Sequence, residues 1–139
     1  MLRRTLCRVV VSLAVAGVAT VGVPTAVGAE PATPTYCSSW KQWEEFRHRA
    51  CITYELGTVM GHTTQVQNLG PTLTGVPLGS KWHINGSSGT CVAYEVRAFN
   101  PGQTRSFTCH TTKVSGWAYK TTSNVNNASS ITSPIGRPA

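Results

Sequence analysis

The chain contains no aspartate. That absence removes the EF-hand calcium loop, the aspartic dyad and any catalytic triad oriented by Asp. Carboxylates of any kind are scarce. Glu30, Glu44, Glu45, Glu55 and Glu95 stand against twelve Lys and Arg in 139 residues, for a formal charge of +7. The cysteines form no C-x-x-C pairs, which a four-cysteine zinc site requires. His48, His62, His83 and His110 show neither H-x-H nor H-E-x-x-H spacing, so no metal site and no cofactor are expected. No internal repeat is visible, and the length suits one small domain rather than a two-domain enzyme or a solenoid.

Long apolar runs are also missing, with one exception. Arg3, Arg4 and Arg8 precede an uncharged stretch from Val9 to Ala29, broken by Pro24 and ending in Val27-Gly28-Ala29. A basic start, an apolar middle and small residues at the end predict an export signal over residues 1–29, cut after Ala29. The expected destination is extracellular. Without those residues, nine basic side chains face five glutamates, a net of +4 spread along the chain. That balance favours solubility and mild attraction to anionic surfaces. It provides no clustered nucleic-acid footprint, and no membrane association is expected after removal of the signal.

Cys37, Cys51, Cys91 and Cys109 then remain, an even number in an exported chain, which implies disulfides. Three connectivities exist. The preferred one joins Cys37 to Cys51 and Cys91 to Cys109, each closing a loop of about 15 residues that stabilises the fold by roughly 3 kcal/mol on the chain-entropy argument.

Past an extended Pro- and Thr-rich leader at 30–35, residues 36–122 read as a β-domain. Ser39 to Ala50 shows a capping box and a helical spacing of Trp40, Trp43, Phe46 and Ala50. A continuous helix would hold Cys37 and Cys51 about 21 Å apart, too far for a disulfide, so only one or two folded-back turns or an irregular segment are expected there. Beyond it the pattern is β. Ala50, Ile52, Tyr54 and Leu56 alternate; Met60 to Asn68 alternates more weakly; Leu73 to Ile84 holds a short strand interrupted at Pro77 and Gly79. Asn85 to Gly89 reads as a loop. Val92, Tyr94 and Val96 point one way; Asn100-Pro101-Gly102-Gln103 suits a type II turn. Thr104 to Thr112 and Trp117 to Thr122 complete the set. Cys109 shares the inward face of Phe107, so Cys91, whose strand face would be outward with Glu95, is expected in a loop before its strand. The polar tail, 123–139, is expected to supply one edge strand around Ile131 or to be disordered. Strands about ten residues apart predict an all-β antiparallel sandwich.

Val66-Gln67-Asn68-Leu69-Gly70 and Asn100-Pro101-Gly102-Gln103-Thr104-Arg105-Ser106-Phe107-Thr108-Cys109 resemble segments of bacterial immunoglobulin-like β-sandwich modules of the CARDB-like kind. The resemblance covers roughly residues 60–112. The export signal and paired cysteines are similar to those of small secreted actinobacterial proteins. It implies an immunoglobulin-like sandwich with an adhesive or structural role and no catalytic residues.

Three constellations bear on function. Trp82 and Trp117 occupy expected inward positions, whereas Trp40 and Trp43 either cap the open end of the sandwich or form an aromatic platform for a glycan or protein. Glu95, Arg97 and His110 are the residue types of a small secreted ribonuclease. Asn85 to Gly89, closed by Cys91, could present an inhibitory loop to a proteinase. The reading adopted is a secreted, non-catalytic binding or structural module whose partner is an extracellular protein or a cell-wall glycan, with Trp40 and Trp43 as candidate binding residues; inhibitor and ribonuclease are the alternatives.

Overall fold

The computed structural model describes residues 33–139; the signal segment and the start of the leader lie outside the described residues. Nine strands form two antiparallel sheets and there is no helix among the described residues. In the first sheet, β3 (Phe46–Tyr54), β4 (Val59–Asn68) and β7 (Thr104–Thr112) pair in that order. The free side of β3 is shared by β1 (Thr35–Cys37) and β2 (Lys41–Trp43). The second sheet runs β6 (Ser87–Phe99), β5 (Thr74–Ile84), β8 (Tyr119–Val125) and β9 (Ser129–Thr132). The strand order is specific: β3 and β4 stay in one sheet, whereas an immunoglobulin constant domain sends its second and third strands to opposite sheets.

Both disulfides are those expected. Cys37 and Cys51 are register partners between β1 and β3, with Cα atoms 4.0 Å apart. Cys91 and Cys109 join β6 to β7 across 5.4 Å, tying an edge of one sheet to an edge of the other.

The helical turns expected before Ala50 are replaced by a hairpin. Trp43 pairs with Phe46 around a two-residue turn, Glu44-Glu45, in which Glu44 takes a positive φ of 50°. Positions four apart share a face in a strand as well as in a helix, so Phe46 and Ala50 fitted both periods. The residue that separates them is His48, which is polar yet wholly buried.

His48 belongs to a polar belt across the interior. Phe46, Val66, Val76, Leu78, Val92, Phe99 and Val125 form one apolar cluster, and Ile52, Met60 and Tyr119 form another. Elsewhere the two sheets are joined by hydrogen-bonded polar side chains. His48 Nδ1 and Nε2 each lie 2.9 Å from a hydroxyl, Ser123 Oγ and Ser129 Oγ. His62 is held in the same way, by Thr121 Oγ1 and Thr111 Oγ1, both at 2.9 Å. Thr64 donates to Ser123, and Asn68 Nδ2 donates to the carbonyls of Thr72 and Phe99. Each of these buried side chains therefore has partners that offset its desolvation, whereas buried Ser80 Oγ has none among the described residues. Three of the five inward residues of β4 are polar, which explains the weak alternation there.

Residues beyond 122 are part of the second sheet. β8 continues to Val125, β9 follows, and Gly136 pairs with Tyr119. Trp117 lies in the turn before β8 and is 43% exposed, a correction to its expected inward position.

The second sheet also departs from the expected strand faces. β5 is not interrupted: it runs unbroken through Pro77 and Gly79. Pro77 O accepts from Asn126 N–H, beyond the last β8 partner, so the missing proline N–H faces a side where the ladder has ended. β6 bulges twice. Leu78 pairs with Glu95, Ser80 with Val92 and Lys81 with Thr90, so an extra residue is accommodated on each side of Ser80. Cys91 is one of these extra residues. It lies inside the strand, and the bulge turns it inward beside Val92, where a loop had been expected to do so. The other bulge reverses the alternation, leaving Tyr94 45% and Val96 68% exposed, opposite to the expected common face with Val92. Asn85-Gly86 is a two-residue turn with both φ angles positive, 46° and 87°, and Ser87 to Gly89 belong to β6.

Candidate ligand-binding groove

The second bulge shapes the outer face of this sheet. Gly79 lies opposite it with no register partner in β6. A Cβ on Gly79 would come within 3.1 Å of both Tyr94 Cα and Val92 O, so the close approach of the bulged backbone requires glycine. Removing a side chain there and raising Tyr94 beside it leaves a groove of about 350 Å³.

Its two walls differ in chemistry. Tyr94 forms the apolar wall, on the same bulged strand as exposed Val96. The other wall carries Lys81, His83, Thr122 and Asn124, from adjacent outward positions of β5 and β8. His83 Nε2 and Thr122 Oγ1 are 2.9 Å apart. Burial holds the His83 imidazole below its ordinary pKa, and the neighbouring Lys120 and Lys81 push it the same way, so the ring is neutral at pH 7. Asn124 Oδ1 is shielded from solvent and has no hydrogen-bond partner. The groove thus combines an aromatic face, one cation, a neutral imidazole, a hydroxyl and the Asn124 side chain. Pockets of this kind, apolar on one side with a few convergent polar groups, hold small organic ligands.

The residues singled out from sequence are distributed differently. Trp43 turns inward and packs against the larger apolar cluster. Trp40 lies beneath Arg47 and Arg49, whose guanidinium carbons are 4.7 and 4.6 Å from its ring centroid. The two tryptophans therefore do not make a joint platform. Glu95 is ion-paired with Arg97, and Arg97 stacks over Phe107 at 4.7 Å. His110 lies on the opposite face of β7 from Phe107 and pairs with Glu55 at 2.9 Å. The three groups of the ribonuclease constellation are not brought together. The tight Asn85-Gly86 turn leaves no extended loop for an inhibitor. Among the described residues, no three His, Cys or Glu side chains converge as metal ligands.

Of the groove residues, Gly79 reads in the sequence only as a strand interruption and Tyr94 only as an inward strand position. The available signal was Gly79 itself, because an isolated glycine inside a strand marks a bulge or a close backbone approach. No family model, curated protein or solved structure matches the chain.

Proposed function

We propose that this protein is a secreted, non-catalytic binding module, with an antiparallel β-sandwich as scaffold, that takes a saccharide of the cell wall or its surroundings in the groove over Gly79. The observation that carries the reading is the pairing of Tyr94 with Lys81, His83, Thr122 and Asn124 across one narrow floor. A sugar ring has an apolar C–H face and a hydroxyl rim. The first suits an aromatic wall, and the second suits the mixed donors and acceptors of Lys81, His83, Thr122 and Asn124. Two disulfides accord with an oxidising destination, and no helix among the described residues is long and apolar enough to cross a membrane.

Calorimetric titration with a panel of soluble wall-derived disaccharides tests the reading. One of them should bind, and Tyr94→Ala should weaken it by about tenfold or more, equivalent to about 1.4 kcal/mol. Because Tyr94 is exposed, this variant should retain the fold. Binding unchanged by Tyr94→Ala, or absent across the panel, would contradict it.

A further inference from the structure

The outer face of the first sheet carries a second arrangement, remote in composition from the groove. On β3 the outward residues Arg47 and Arg49 are register partners of Gln67 and Gln65 on β4. Each guanidinium Nε donates to the facing glutamine, Arg47 to Gln67 Oε1 and Arg49 to Gln65 Oε1, both at 2.6 Å. Both guanidinium carbons also lie within 4.7 Å of the Trp40 ring centroid. Two long side chains that would ordinarily be mobile are thus fixed in place by one hydrogen bond and one aromatic contact each, with no hydrogen bond from their terminal Nη groups to any described residue.

Among the described residues no carboxylate pairs with either arginine. Arg97 is ion-paired with Glu95, and His110 hydrogen-bonds Glu55. Like charges held side by side on one sheet face are destabilising. The Trp40 ring offsets part of that repulsion, and a bound anion would remove the rest. Arginine engages phosphate oxygens through parallel N–H donors, and the Nη groups of both side chains make no hydrogen bond to a described residue.

We infer that Arg47, Arg49 and Trp40 form a binding site for a phosphate-bearing polysaccharide. The rest of the face argues for a polysaccharide over a nucleic acid. The outward residues beside the arginines are Gln65 and Gln67 on β4 and Thr104 and Ser106 on β7, which are amides and hydroxyls. A single-strand nucleic-acid surface needs a basic track and several aromatic stacking platforms. Here one aromatic and two cations adjoin a field of short polar groups, which suits a hydroxyl-rich chain carrying a phosphate. The inference is independent of the groove and uses none of its residues.

The test uses a poly(glycerol phosphate) chain bearing sugar substituents, with inorganic phosphate, uncharged dextran and a single-stranded oligonucleotide as comparisons. Binding is read from tryptophan fluorescence and from the NMR shifts of the arginine Nε–H groups. The phosphate polymer should bind, dextran should not, and raising the salt should weaken the complex. Arg47→Gln and Arg49→Gln should each reduce affinity at least fivefold, whereas Arg137→Gln, which removes the same charge from an exposed site, should leave it within twofold. Equal losses in all three variants would show attraction to net charge alone and overturn the site. So would failure to bind the polymer, or tighter binding of the oligonucleotide. Tyr94→Ala should leave this binding unchanged, which separates the result from that of the groove.

Discussion

At the scale of single residues, the two buried histidines do most to set this interior apart from an apolar one. Desolvation by burial lowers His48 to about 4, with nearby Lys41 acting in the same direction. Burial likewise lowers His62 to about 4, with a backbone hydrogen bond opposing it and His83 and His110 reinforcing it. Both rings fold in the neutral form. Between the unfolded value of 6.5 and about 4 the unfolded chain binds more protons than the folded one, so stability must rise with pH across that window. The contribution is fully present above 6.5 and is lost as pH falls to about 4, on the order of 3 kcal/mol for each ring. Urea unfolding at pH 7 and pH 4.5 should show a loss of several kcal/mol, and His48→Gln should flatten the pH slope by about one proton. An unchanged midpoint across this range would contradict the burial of the rings. These same residues explain the hairpin before Ala50. A buried histidine is indistinguishable in sequence from an exposed one, so Phe46-Arg47-His48-Arg49-Ala50 did not read as the alternating strand it is.

At the scale of elements, the pattern of a strand was legible wherever apolar residues alternated without insertion. The turn Asn100-Pro101-Gly102-Gln103 forms as expected, with Gly102 at a φ of 71° and Gln103 N–H donating to Asn100 O at 3.0 Å. Bulges were not legible. A single extra residue on β6 reverses every later face, which moved Tyr94 and Val96 outward and created the groove wall. The two cysteine pairs were legible because their separations of 14 and 18 residues suit strands brought edge to edge, but the strand context of Cys91 depended on the other bulge. Gly79 is the element's most sensitive position. Gly79→Ala should destabilise the protein by about 1–3 kcal/mol, because the two nearest neighbours of the new methyl, Tyr94 Cα and Val92 O, are backbone atoms that cannot rotate away. It should also weaken saccharide binding by filling the floor of the groove. Urea midpoints and calorimetric titration of the same variant check both effects, and a variant as stable as the parent would contradict the bulge geometry.

For the whole molecule, the sandwich is held at one side by covalent closure and in the middle by polar cross-links. The Cys91–Cys109 bridge joins β6 to β7, where neither edge has a strand neighbour of its own sheet. Replacing both cysteines by alanine should cost roughly 3 kcal/mol. It should also raise amide exchange along β6 and β7 first, since these strands lose the link between the sheets. Uniform protection in that variant would show that the sheets are held together elsewhere. The outward faces hold an amphipathic groove on one sheet and a pair of arginines beside Trp40 on the other. The central claim, that a saccharide is taken in the groove, is tested most directly by adding a wall-derived disaccharide to isotope-labelled protein and following the backbone amides by NMR. Saturable shifts should concentrate at Gly79, Lys81, Tyr94, Thr122 and Asn124, with β3 and β4 unmoved. Shifts confined to the Trp40 face, or none at any concentration, would contradict it.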